Sequence, residues 1–269
     1  MMLPNGALEF DLTLGYNQYH RYRSYSEDEI KGLVLEQSFP NLANTTATPS
    51  VTAGFPSELW RRQGVYGIFE AGFNDFIFLT ATARNTWSSA LPKENNSYFY
   101  PSVSLSFIAS DAFNFDNNLE AIDMLKLRAA YGKAGNDANP YVIYPDFVEG
   151  QVTGGIPFSD LTFPLNNVRG YEYDNVLGNL NLQPEISTDY EVGVDISLFN
   201  YRLALEATYY DRTTEGMILP RTVASSSGFR SLWDNIGKIQ NNGFEMGLGI
   251  TPLRLKAFSW DMSYNFSQN

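Results

Sequence analysis

A single histidine, His20, stands in a chain of 269 residues that contains no cysteine. Those two counts remove most hydrolytic and metal chemistry together. A nucleophile activated by histidine needs a third group to orient the base, and structural zinc is held by sets of Cys and His. No Gly-x-Ser-x-Gly segment occurs, so the strand-turn-helix nucleophile is missing too. His20 is read as a rim residue near a strand end. Carboxylates are plentiful, and two of them across a sugar bond could hydrolyse it. Here they fall at alternating positions or in loops, with no pair set among apolar residues, and read as solvated wall charge. Asp116-Asn117-Asn118 and Asn136-Asp137 carry oxygens of the kind calcium takes, without the twelve-residue loop spacing. Turn formation is their expected work. No catalytic, cofactor or metal residue is assigned, and no cofactor is expected.

Binding is a better fit than catalysis. Trp60, Trp87, Trp233, Tyr141, Tyr144, Tyr171 and Tyr173 lie in or beside long polar segments. Flat rings there could stack on sugar faces or pack against a partner protein. Trp and Tyr also form girdles at membrane interfaces, and Trp60, Trp87 and Trp233 sit near strand ends. Both readings stay open at those three positions.

The elements that would carry these rings announce themselves by alternation. Phe258, Trp260, Met262, Tyr264 and Phe266 fall on one face of an extended chain, with Ser259, Asp261, Ser263, Asn265 and Ser267 on the other. A helix would scatter them, whereas a strand separates them. The same period recurs in 8–16, 103–107, 125–131, 190–198, 203–210 and 244–250, and more weakly in 64–73 and 76–86. About nine strands result. Ten residues at ~3.3 Å, tilted ~40°, rise roughly 25 Å, the height of an outer-membrane apolar band.

Connections differ at the two ends. Asn74-Asp75, Phe199-Asn200-Tyr201 and Pro252-Leu253-Arg254 read as short turns. Segments 21–61, 87–97, 133–186 and 213–233 read as long loops. The connector 110–124 is of medium length, and Asn118 to Leu125 could form one or two helical turns. Tight turns on one side and long loops on the other are expected of a transmembrane barrel. A soluble sandwich shares the alternation but predicts no such asymmetry.

Composition agrees. Aromatic residues make up 15% and charged residues 18% of the chain, and mean hydropathy is slightly negative. That mixture suits strands with one apolar and one wet face. No run reaches the ~18 apolar residues of a membrane helix. A net charge of −12 argues against nucleic acid as a partner, since little would neutralise phosphates. The first residues, Met1 to Gly6, show no basic or apolar export signal, so such a signal was removed or the chain begins inside a longer protein.

Several blocks resemble one family. Leu125-Lys126-Leu127-Arg128-Ala129-Ala130-Tyr131-Gly132-Lys133-Ala134-Gly135-Asn136 resembles the "LKLRASYGxxGN" block of SusC/RagA-type TonB-dependent outer-membrane transporters. Asn235-Ile236-Gly237-Lys238-Ile239-Gln240-Asn241-Asn242-Gly243-Phe244-Glu245 resembles their "NxGxxxNKGxE" block, with Asn242 where Lys is usual. Gly178 to Glu185 with the strand after it, Pro101 to Phe107, and the hairpin from Gly64 to Ser89 complete a series in the family's order. Arg84-Asn85-Thr86-Trp87-Ser88-Ser89 departs from the usual "RxDGSS", so that loop tip is expected to differ.

The glycines in these blocks carry physical expectations. Gly132 and Gly135 would allow positive φ or close approach where a strand enters a loop. Gly237 and Gly243 would interrupt a long strand with a bulge or bend. Lys126 and Arg128 could pair with Glu245, Glu191 or Asp195, although solvated lumen charge is the expected state.

The resemblance implies an all-β fold: about nine strands of a larger antiparallel up-and-down transmembrane β-barrel, with residues 1–269 all within one barrel domain. It implies an outer-membrane, multi-pass location in Bacteroidetes-type bacteria and uptake of glycans or peptides. Its partners would be membrane lipid, a SusD-like surface lipoprotein and the TonB complex. The family's plug, TonB box, signal peptide and terminal strands, with their closing aromatic, are not found, so the chain reads as a fragment from the C-terminal half. The competing reading is a soluble all-β carbohydrate-binding or adhesion module. A barrel-embedded hydrolase is a third, without supporting motif.

Overall fold

The computed structural model describes residues 8–24, 27–29, 50–52, 58–115, 121–152, 161–163 and 168–269. Nine long strands form a single sheet in chain order. They are β1 (Leu8–Arg23), β2 (Glu58–Phe73), β3 (Ile77–Ser88), β4 (Ser97–Ile108), β5 (Ile122–Asn136), β6 (Glu185–Leu198), β7 (Leu203–Glu215), β8 (Lys238–Leu255) and β9 (Phe258–Gln268). Every neighbouring pair is antiparallel. The sheet is therefore a meander, the connectivity of an up-and-down barrel.

Register decides which face each side chain takes. One cross-strand row reads Leu8, Phe73, Ile77, Phe107, Leu127, Val194, Ala207, Met246, Phe266. The adjacent row, one residue along each strand, reads Glu9, Gly72, Phe78, Ser106, Arg128, Gly193, Thr208, Glu245, Ser267. The first row is apolar across all nine strands; the second is polar or small apart from Phe78.

Nothing covers the apolar face among the described residues. Leu14 is 76% exposed, Leu12 65% and Val192 54%. The remaining described sheets hold only two or three short strands within the long connections. Leaving a Leu or Phe side chain in water forgoes about 1.5–3 kcal/mol. A sandwich would bury this face against a second sheet, and the described residues form none that covers it. Lipid is the solvent that this face fits.

Short turns gather at one end. Asn74 and Asp75 both have positive φ, 47° and 59°, as the central residues of a twist-matched primed turn require. Phe199, Asn200 and Tyr201 have φ of 59°, 56° and 58°, a left-handed run that side chains disfavour. The Asp123 carboxylate holds it, accepting from the N–H groups of Asn200 (3.1 Å) and Tyr201 (2.9 Å).

Two expectations at this end need correction. The last turn is not Pro252-Leu253-Arg254. Those residues belong to β8, the pairing with β9 shifts between Ile250 and Leu253, and the chain reverses at Lys256-Ala257. Pro is tolerated where the ladder is already irregular. The helical turn falls on Ala109–Ala112, and Ile122 to Leu125 are strand; residues 118–120 lie outside the described set, as do Met1 to Gly6.

The opposite end carries the long connections, 24–57, 89–96, 137–184 and 216–237. A strand such as β6, with 14 residues, rises roughly 35 Å at the usual tilt. It therefore overtops an apolar band of ~25 Å and lifts the loops clear of the membrane.

Candidate functional site

The polar face has an ordered ion network at its centre. Arg128 donates to Glu191 (2.9 Å), Asp195 (3.3 Å), Glu206 (2.8 Å) and Thr208 (2.6 Å), so one guanidinium ties β5, β6 and β7 together. It lies across Gly193, where an added Cβ would sit 2.7 Å from its Nε. Lys126 stands 3.9 Å from Asp195. These charges are thus paired rather than simply solvated, and Glu206 joins them in place of Glu245. Near the loop end Arg212 holds Asp189 at 2.5 Å.

The glycines behave partly as expected. Gly135 is a close-approach position, its Cβ site 2.4 Å from the Tyr98 ring, while Gly132 meets only ordinary contact at 3.4 Å. Gly237 takes φ of 93° just before β8. Gly243 interrupts nothing: it pairs in register with Tyr210, whose hydroxyl would lie 2.7 Å from a Cβ there.

Above the wall, the residues of the sequence blocks fasten the loops to one another. Asn235 donates from Nδ2 to the Gln183 and Gly216 carbonyls, both at 2.8 Å, and accepts from the Gln183 N–H at 2.8 Å. Asn179 Nδ2 donates to the Trp233 carbonyl (2.8 Å), and Asn95 Nδ2 to that of Leu182 (3.1 Å). Glu185 accepts from Asn136 Nδ2 (3.0 Å) and from the Ile218 N–H (2.8 Å). Beneath these bonds Leu91, Tyr98, Ala138, Ile143 and Leu182 form a small core, with Trp233 and Ile218 packed against it. Gly178 seats the chain at 143–144, because a Cβ there would lie 2.4 Å from the Tyr144 carbonyl carbon. These described loop segments are held by side-chain amides and one apolar knot.

The seven candidate aromatics separate into distinct places. Trp60 lies on the polar face of β2, its indole N–H donating to Asp137 Oδ2 at 3.1 Å. Trp87 has the parity of the apolar face of β3 and is 40% exposed. Trp233 belongs to the loop core. Tyr141 accepts from the Leu59 N–H at 3.0 Å, and Tyr144 is exposed beside it. Tyr171 and Tyr173 share the short strand Tyr171–Tyr173, paired with Phe147–Glu149. Tyr173 gathers Phe147 at 4.6 Å and Phe229 at 6.1 Å, ring centre to ring centre. His20 lies near the loop end of β1, opposite Arg61.

A cluster around Trp60 went unforeseen. Arg62 lies over its ring at 4.0 Å and Arg21 at 4.6 Å, while Tyr19 meets it edge-on at 5.9 Å. The fully buried side chain of Asp137 accepts from Ser88 and Trp60 and stands 3.7 Å from Arg62. Period two places Tyr19, Arg21, Trp60 and Arg62 on the polar face; nothing local marks Asp137 as their neighbour. Its adjacent residue, Asn136, turns to Glu185 instead. The two do not act together as a calcium site, and residues 116–118 lie outside the described set. No group of three or more metal-type ligands occurs among the described residues.

Comparison with known proteins follows the geometry. Residues 3–269 match the family model described as TonB dependent receptor-like, beta-barrel. TonB-dependent receptor P26 of Formosa agariphila is 30% identical over 246 residues, covering 90% of this chain and 24% of that protein. TonB-dependent receptor SusC of Bacteroides thetaiotaomicron is 24% identical over 277 residues, covering 98% and 25%. The solved RagAB peptide transporter superposes with a TM-score of 0.74 at 21% identity, over 98% of this chain and 28% of that one. The ferric enterobactin receptor PfeA of Pseudomonas aeruginosa gives 0.60 at 18% identity, over 100% and 34%. The chain thus spans about a quarter of the length of the curated relatives it matches.

Proposed function

Because this chain belongs to the TonB-dependent receptor-like β-barrel family, we propose that residues 1–269 form nine wall strands within the barrel domain of a larger receptor that imports glycans or peptides. Its place is the outer membrane. The observation that carries the reading is the pair of adjacent cross-strand rows, one apolar and uncovered, one polar and ion-paired. β1 and β9 each stand at an edge of the nine-stranded sheet. In hydrocarbon an unmet backbone N–H or C=O costs several kcal/mol, so both edges call for further strands of the same barrel.

The family is one of receptors, and the work assigned here is passage and recognition without catalysis. A SusD-like surface lipoprotein would sit over the loop platform, and the TonB complex would act through a region outside this chain. Tyr141, Tyr144, Tyr171 and Tyr173 are the surface offered to substrate or lipoprotein. Trp60 faces the passage, Trp87 anchors at the lipid boundary, and Trp233 supports the platform.

Sidedness tests this. Single cysteines replace Tyr144 or Asn74 in the complete receptor, and intact cells meet a membrane-impermeant maleimide. Tyr144→Cys is expected to label in intact cells and Asn74→Cys only after lysis. Equal labelling of both in intact cells would overturn the reading.

A further inference from the structure

Among the described residues, the Trp60 cluster holds more positive charge than its neighbours answer. Four guanidinium groups, those of Arg21, Arg23, Arg62 and Arg84, share the polar face near the loop end of β1, β2 and β3. Among the described residues their carboxylate partners are Glu58, 3.8 Å from Arg21 and 4.0 Å from Arg23, and Asp137, 3.7 Å from Arg62. All three separations exceed a charge-assisted hydrogen bond of about 2.7–2.9 Å. The Arg128 network, by contrast, closes at 2.8–2.9 Å on two of its carboxylates.

The remaining donors are also underused. Among the described residues Arg84 bonds neutral acceptors, Asn17 at 2.7 Å and Thr86 at 3.1 Å, with no carboxylate against it. The Arg21 Nε–H is buried without an acceptor. Yet the groups stay reachable: the side chains of Arg21, Arg62 and Arg23 are 35%, 33% and 61% exposed. Two like charges over one indole repel each other, and cation–π attraction offsets only part of that. An anion accepting from either fork would offset that repulsion.

From this we infer an anion subsite at the mouth of the passage, built by Arg21 and Arg62 on Trp60, for the carboxylate or sulfate groups of an acidic oligosaccharide. Asp137 and Ser88 are positioning residues that fix the indole from behind. A peptide read by strand addition would need open backbone amides, and β2 and β3 spend theirs on their neighbours here. Near their loop end, β1 and β2 turn Tyr19, Arg21, Trp60 and Arg62 to the passage, with Glu58 beside them, and guanidinium forks grip acid groups.

The inference rests on the transporter reading, so the test separates the two. The complete receptor in detergent is titrated by calorimetry with tetragalacturonate, with neutral maltotetraose and with tetraglutamate, at low and high salt. Tetragalacturonate is expected to bind about tenfold or more tighter than maltotetraose, as one good charge-assisted contact implies, and to weaken with salt. Arg21→Gln with Arg62→Gln should abolish that preference, and Arg21→Lys with Arg62→Lys should keep part of it.

Each contrary result has its own meaning. An unchanged preference in the glutamine pair, or no preference in the unaltered receptor, overturns the subsite. Tighter binding of tetraglutamate overturns the oligosaccharide assignment. The heat-modifiable gel band of a closed barrel is read in every sample: its loss in the unaltered receptor sinks the transporter reading itself. If only the glutamine pair loses it, the lysine pair and the salt dependence decide.

Discussion

Replacing Arg128 by glutamine should destabilise the barrel wall by about 2 kcal/mol, a value that follows from the exposure of its partners. Its three carboxylates differ: the side chains of Asp195, Glu191 and Glu206 are 20%, 42% and 66% exposed. Exposed pairs contribute ~0.2–1 kcal/mol each, so Glu191 and Glu206 are discounted to about 0.5 kcal/mol apiece. The better sheltered Asp195 pair adds roughly 1 kcal/mol. Urea unfolding of the complete receptor in lipid vesicles, followed by tryptophan fluorescence, would measure the loss. A double-mutant cycle with Asp195→Asn isolates one pair, with an expected coupling of about 1 kcal/mol. At high salt the share owed to Glu191 and Glu206 should shrink. A total below about 0.5 kcal/mol, or a coupling of zero with Asp195, would refute the view that these strands are cross-braced from inside.

Other positions give sharper local tests. Leu12→Arg puts a charge on the apolar face and should cost about 2–4 kcal/mol near the bilayer midplane, whereas neighbouring Thr13→Arg should cost under about 1 kcal/mol; comparing their unfolding midpoints reads the difference. Asp123→Ala removes the acceptor for two backbone N–H groups at the left-handed turn, an expected loss of about 1–2 kcal/mol, and adding Phe199→Gly should recover part of it. Gly178→Ala forces a Cβ to within 2.4 Å of the Tyr144 carbonyl carbon. It should make segment 137–184 more sensitive to protease in intact cells while the heat-modifiable band stays unchanged.

The strands were legible because a sheet between lipid and water writes its two solvents into every second residue. In β9 that pattern runs unbroken from Phe258 to Ser267, and the structure follows it. Asn74-Asp75 was legible too, as residues that accept positive φ. Pro252 misled because its missing donor matters less beside a shifted ladder than in a regular one. The Ala109–Ala112 helix is a single turn, too short for any period to register. The rim was hardest to read. Asp137 reaches Ser88 across 49 residues and Trp60 across 77, and Asn235 reaches Gln183 across 52. Contacts at such separations are set by strand order and loop packing, so the sequence blocks show the residues but not the partners they tie together.

The central claim is that one face of this sheet meets lipid and the other water. The direct measurement places a bimane-labelled cysteine at each position from Leu203 to Tyr210 in the complete receptor, reconstituted in vesicles containing brominated lipid. Quenching by the lipid is predicted at 203, 205, 207 and 209, and quenching by aqueous iodide at 204, 206, 208 and 210. Iodide access at both sets, or loss of the alternation, would contradict the account.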